Sequence, residues 1–281
     1  MKKIISASRR TDLVAFFPEW LAEVLKEERV RVHGPSGHVY TVNLSPEVVH
    51  TVVLWSKNFT NLLENRAGLK DILEKHDQVY LHFTITGLGA TFIERGVPSW
   101  HEALIQLEDL ARLVGSPRRI SVRFDPIIYW KEENRVRTNL HKFEKIAPSL
   151  KKQGIEDIRI SFAQWYSKAR KRAAKHRFCY IDPPVEKKLS DAHYLVHIAE
   201  RWNLNLFSCS QDFLLKVRGI QASSCIDGAL LQSLHPKRER ASIKKDRTQR
   251  QECRCSDSVD IGSYTQFCPN CCLYCYANPK I

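Results

Sequence analysis

Short runs of β-branched and aromatic residues alternate with amphipathic stretches along the whole chain, and no other feature limits the fold as tightly. The runs are Lys3–Ser8, Val39–Leu44, Thr51–Trp55, Gln78–Thr84, Arg119–Phe124, Asp157–Phe162, Leu204–Ser208 and Ser258–Ser263. Their length and residue types are those of strands. Between them lie Pro18–Glu28, Trp100–Leu113, Thr138–Lys152 and Val185–Trp202, which carry helical patterns. Repeated strand-then-helix units predict a mostly parallel sheet, because a crossover helix returns each strand in the same direction. The expectation is an α/β fold: a (β/α) barrel, complete or partial, forming one domain over residues 1–281. An open two-sided sheet is the alternative. Val39–Leu44 and Thr51–Trp55 have no helix between them and read as a local hairpin.

In such folds chemistry sits where strands end. The residues there are Ser8-Arg9-Arg10-Thr11-Asp12, Ser56-Lys57-Asn58, Thr84-Ile85-Thr86-Gly87, Arg123-Phe124-Asp125-Pro126, Ser161-Phe162-Ala163-Gln164 and Ser208-Cys209-Ser210-Gln211. Nearly all are small and hydrogen-bonding, or charged. Turns in structural proteins look similar, so the argument rests on six such sets occurring together. The last strand runs directly into CPNCCLYCYANP, residues 268–279, which puts a cysteine cluster on the same rim.

That cluster has two parsings. Paired as Cys268/Cys271 and Cys272/Cys275 it suggests zinc; with Cys253 and Cys255 upstream, a zinc ribbon would fit. Read as C-x-x-x-C-x-x-C it selects Cys268, Cys272 and Cys275. Three thiolates leave an iron–sulfur cluster one ligand short, and so leave one iron open. Cys209, Cys225, Cys253 and Cys255 could supply a complete four-thiolate site, for an auxiliary Fe–S cluster or a structural zinc, unless Cys209 and Cys225 are merely small buried hydrophobes. Hydrophobic content of 43% and charged content of 27% mark a globular chain. No apolar run reaches the roughly 18 residues of a membrane span, and the opening MKKIISASRRTD lacks a signal-peptide core. A cytoplasmic location is expected, where nine cysteines favour metal over disulfides.

The net charge is +13, and residues 168–177 with residues 235–250 account for eleven of it. Concentrated charge of this kind is the footprint of a protein that meets phosphates, or else of solvated loops and a charged helix face. Nucleic acid is the partner it suggests. No phosphate loop or dinucleotide fingerprint is present, and His193 and His197 lack the intervening glutamate of a metalloprotease.

Cys268, Cys272, Tyr274 and Cys275, in the pattern C-x-x-x-C-x-aromatic-C, resemble the signature of the radical S-adenosylmethionine enzymes. That resemblance implies a [4Fe–4S] cluster on the three cysteines, S-adenosylmethionine on the open iron, and Tyr274 beside the adenine. It also implies an electron donor such as a flavodoxin or ferredoxin. In that family the motif follows the first barrel strand, whereas here it comes last, so the barrel is expected to be permuted. Ser258–Ser263 is then expected to lie parallel to Lys3–Ser8, bringing Ser8, Thr11 and Asp12 to the cofactor's amino group; Asp12 could instead only cap a helix. The chain is also similar to the family called domain of unknown function 1848, through Ser6–Asp12, Lys245-Asp246-Arg247, Gln249-Arg250 and Cys253-x-Cys255. Arg123-Phe124-Asp125-Pro126 is similar to a stretch of the spore photoproduct lyases. This likeness implies Arg123 for the cofactor carboxylate and Asp125 for a ribose hydroxyl or substrate; the plainer alternative is an Arg–Asp pair closing a strand.

Overall fold

The computed structural model describes residues 1–33 and 38–279. Its frame is one sheet of eight strands: β1 (Lys3–Ala7), β2 (Val49–Ser56), β3 (Val79–Thr84), β4 (Ile120–Ile127), β5 (Asp157–Phe162), β6 (Asn205–Ser208), β7 (Ile220–Ala222) and β8 (Val259–Asp260). Every neighbouring pair is parallel. Across the sheet the order is β7, β6, β5, β4, β3, β2, β1, β8. Each strand lies beside its predecessor until β8, which returns to β1 with Ile5 opposite Val259 and Ser6 opposite Asp260. The expected pairing of the two distant segments is therefore present. Among the described residues no backbone pairing joins β7 to β8, so these two are the sheet's edges.

Alternate residues of a strand face opposite sides, and here the sides differ in character. Ile5, Ala7, Val52, Leu54, Leu81, Phe83, Val122, Phe124, Ile158 and Ile160 belong to the main apolar core. The helices Trp100–Leu113 and Val185–Arg201 supply Leu104, Leu107, Leu110, Leu195 and Ile198 to it. Ser99 caps the first of these helices in a reciprocal capping box with Glu102. On the other face Ile4, Val53 and Tyr80 pack with Ile226, Leu231, Cys225, Cys253 and Cys255. That face also carries buried polar groups, namely Ser6, His82, Ser121, Arg123 and Arg159. Apolar burial holds one side; the other adds buried polar and charged groups.

Two sequence expectations need correction. Val39–Asn43 pairs antiparallel with Arg29–His33, not with Thr51–Trp55. The reason is burial: β2 is almost wholly enclosed, as befits a central parallel strand, while Arg29–His33 alternates between exposed and buried positions. The helix expected from Thr138 begins at Lys142, because Arg135–Thr138 pairs with Tyr129–Glu132. The three-residue β7 was not expected, and the basic segment forms the helix Ser167–Lys175, one of the two alternatives left open for it.

Candidate metal centre

The segment after β8 carries Cys268, Cys272 and Cys275, and neighbouring elements hold it on several sides. Asp12 caps the helix Leu13–Phe16 by accepting from the Ala15 amide at 3.1 Å. The same carboxylate accepts the Ser56 hydroxyl at 2.7 Å, the Lys57 amide at 3.0 Å and the Asn270 side-chain amide at 2.9 Å. It thereby ties the ends of β1 and β2 to the cysteine segment. Burial pushes its carboxyl up, although these donors oppose the shift. Asp260 binds the other side of the same corner, accepting from Ser6 at 2.8 Å, Ser8 at 2.7 Å and the Arg9 amide at 2.8 Å. Ser8 and Asp12 therefore already have protein partners.

The loop after β3 forms a second wall. Leu273 donates to the Ile93 carbonyl at 3.1 Å and Gly96 donates to the Asn270 carbonyl at 3.2 Å. A Cβ on Gly96 would lie 2.0 Å from the Pro269 carbonyl oxygen, so only hydrogen fits there. Gly96→Ala is expected to lower the unfolding free energy by about 1–3 kcal/mol, as overpacking does. Urea denaturation checks this, and an unchanged midpoint would show that the two loops part without cost.

From the far side Arg172 donates to the carbonyls of Leu273 at 3.2 Å, Cys275 at 2.7 Å and Ala277 at 3.3 Å. Sequence reading had placed Arg172 only in a basic face; it is in fact a brace of the cysteine loop. Cations near a helix end answer exposed carbonyls in the same way.

Behind the cysteines lies a buried charged cluster. Glu94 is fully buried, and its Oε1 accepts Lys57 at 2.9 Å, Thr86 at 2.9 Å and the Tyr274 hydroxyl. Burial works against the Lys57 charge, but Glu94 and Cys272 outweigh it and hold the ammonium pKa up. Among the described residues, the buried oxygens without a hydrogen-bond partner include Glu94 Oε2, Asn270 Oδ1 and Thr11 Oγ1. Such orphans are costly unless something answers them. Burial pushes all three thiols up, Cys268 to about 12. A soft cation would reverse that preference, since the ligand form is the thiolate. Donor type, burial and the nearby Lys57 thus fit an iron–sulfur group on Cys268, Cys272 and Cys275.

A second set of thiols lies elsewhere on the rim. Cys209 follows β6 and its sulfur is 3.3 Å from that of Cys225, which follows β7. Cys225 also contacts the Cys255 thiol, and Cys255 contacts Cys253. These neighbours hold the Cys225 thiol well below its ordinary range, Cys209 first, then Cys255 and the Arg123 guanidinium. Arg123 donates to Cys225 at 2.7 Å and to Cys209 at 3.5 Å, pairs with Asp125, and lies over the Trp55 ring. Asp125 in turn accepts from Ser161. The strand-closing Arg–Asp pair is therefore present, but it faces Cys209 and Cys225. Cys253 and Cys255, the upstream half of the zinc-ribbon parsing, pack in one buried cluster with Cys225, with Cys209 against it.

Lys57 was visible as a strand-end residue. Glu94, Asp260, Trp55, His82 and Arg159 were not, and the nearest signal for Glu94 was the glycine two residues on. Of the basic segments, Arg250 donates to Gln164 and Tyr166, Lys237 pairs with Asp77, and Lys168 reaches Asn278. Lys171, Lys175, Arg177, Lys244 and Arg247 stand exposed.

The molecule is thus an α/β protein with two groups of buried or half-buried cysteine thiols at one rim of a parallel sheet. It belongs to the family described as domain of unknown function (DUF1848), whose model spans residues 4–277. Neither curated proteins nor solved structures gave a match.

Proposed function

We propose that this chain is a radical S-adenosylmethionine-type enzyme on a permuted (β/α) barrel, with Cys268, Cys272 and Cys275 holding a [4Fe–4S] cluster. The observation that carries this reading is three thiols on one loop, Cys268 and Cys272 buried and Cys275 half-buried, backed by unpartnered oxygens on Glu94, Asn270 and Thr11. The strand order supports the barrel, since it is that of an eight-stranded ring opened between β7 and β8. Cys268, Cys272 and Cys275 would hold the cluster, which would supply the one electron needed to cleave S-adenosylmethionine reductively at its C5′–S bond into methionine and a 5′-deoxyadenosyl radical. The chain's own residues bind and orient. Thr11, Asn270 and Glu94 offer acceptors for the cofactor's ammonium group, and Tyr274 is anchored through its hydroxyl. Lys57 balances charge. A flavodoxin or ferredoxin would deliver the electron. No helix among the described residues is long and apolar enough to cross a membrane, which is in keeping with the proposed cytoplasmic location.

The exposed lysines and arginines favour a phosphate-bearing substrate such as a nucleic acid, with single strands preferred because a stacked base is out of a radical's reach. Binding of a single-stranded oligonucleotide should weaken with salt at a log–log slope of about −0.7 per phosphate contact. Lys171→Ala, Lys175→Ala and Arg177→Ala together should flatten that slope by about two units. These three are the residues to change, since Arg172 is engaged by the cysteine loop. Absence of binding at low salt would point to a small-molecule or peptide substrate.

The enzymatic reading itself is tested on anaerobically isolated protein reduced with dithionite and given S-adenosylmethionine. Production of 5′-deoxyadenosine is expected. Colourless protein with zinc and no sulfide, even after iron and sulfide reconstitution, would sink it in favour of a metal-stabilised nucleic-acid-binding protein.

A further inference from the structure

We propose that Cys209, Cys225, Cys253 and Cys255 bind a second metal centre, zinc or an iron–sulfur cluster, and that this centre fastens together the sheet edges β7 and β8. Two independent observations carry the inference, and neither depends on radical chemistry.

The first is position. Edges of a sheet present unpaired backbone groups that must be paired or covered. Cys225 stands three residues beyond β7 and Cys255 four residues before β8, on either side of the gap. The two segments already touch: Ser256 donates to the Ile226 carbonyl at 2.8 Å and Ser224 to the Arg254 carbonyl at 2.6 Å. The Ile226 amide points at the Cys255 sulfur, 3.4 Å away. His82 donates its Nε2 hydrogen to the Cys225 carbonyl at 2.6 Å, fixing this cysteine from the sheet below. Cys209 adds the end of β6. One ion or cluster on these four thiols would thus span both edges and a third strand.

The second is charge. Arg123 and Arg159 are both buried on the face beneath these thiols. Asp125 pairs with Arg123. Among the described residues no carboxylate pairs with Arg159, whose guanidinium has only the Ser121 hydroxyl, the Ser224 carbonyl, the Tyr80 hydroxyl and the Phe207 ring. A buried ion without an opposite charge costs several kcal/mol. Four thiolates around a dication leave a charge of about minus two, which answers these guanidiniums. A set of neutral thiols would not.

The test uses the full chain carrying Cys268→Ala, Cys272→Ala and Cys275→Ala, isolated anaerobically, so that failure of the radical reading cannot affect it. Retention of about one zinc, or of about four irons with sulfide, is expected per chain. Adding Cys255→Ser should release it. Hydrogen exchange at Gln221, Ala222, Val259 and Asp260 should then quicken at least about tenfold, with β3 unchanged. A triple variant that stays metal-free after addition of Zn2+, or of iron with sulfide, overturns the site. Metal kept in the presence of Cys255→Ser overturns the ligand set. If that variant is insoluble, a chelator applied to the triple variant reads the same point: release with faster exchange at the edges supports the fastening, and release without it overturns it.

Discussion

Cys272→Ala is expected to strip about four irons and their sulfide from anaerobically isolated protein, and to reduce 5′-deoxyadenosine formation to the level seen without protein. The effect should be near total because Cys272 is the most deeply placed of the three thiols, 4% exposed, with Lys57 and Glu94 behind it. Alanine there leaves two thiolates, too few for a four-iron group that already lacks one protein ligand. Metal held by Cys209, Cys225, Cys253 and Cys255 should survive, so total iron and zinc separate the two sites. Alanine at Cys271 should leave the iron in place. Equal losses from Cys271→Ala and Cys272→Ala would favour the paired zinc parsing.

The second large effect is expected at Glu94. Replacing Glu94 with Leu removes the carboxylate that answers Lys57 and takes the hydroxyls of Thr86 and Tyr274. Breaking a buried pair from one side costs about 3–5 kcal/mol, mostly because the remaining charge is left in low dielectric. Lys57→Met in the same chain should restore much of that loss. The coupling between the two, read from a double-mutant cycle of urea unfolding, should exceed about 1 kcal/mol. Additive effects would mean that the ammonium finds water or another anion, and the enclosed character of this corner would have to be abandoned.

What the sequence disclosed, and what it hid, follows from the reach of local patterns. Asp157–Phe162 and Trp100–Leu113 have the expected bounds to the residue, because the strand and helix patterns that mark them are local to each segment. β7 was missed because Ile220-Gln221-Ala222 is too short to show alternation. The cysteine spacing was legible, since ligands on one loop are neighbours in sequence. The convergence of Cys209, Cys225, Cys253 and Cys255 could be guessed only from their places relative to strands. Glu94 was illegible: it acquires meaning only when Cys272 pairs with its backbone from 178 positions away. The basic helix shows the opposite error. Composition suggested a solvent-facing stripe, but the inward Arg172 serves the carbonyls of the cysteine loop.

The place of β1 within the sheet has a kinetic consequence. One neighbour, β2, follows after some forty residues; the other, β8, joins through contacts such as Ser6 to Asp260, 254 positions apart. Closing the longer loop costs about 1.5 kcal/mol more in chain entropy than closing the shorter, since that cost grows with the logarithm of length. Rates fall as contacts become more distant. Assembly should therefore run outward from β1 through β7, while one side of β1 waits with its amides and carbonyls open to mispairing. Docking of β8 ends that wait. Only then do Asp260 and Asn270 meet Ser6, Ser8 and Asp12, so the cysteine loop takes shape after nearly everything else, and the proposed cluster would be loaded onto a chain that has already folded.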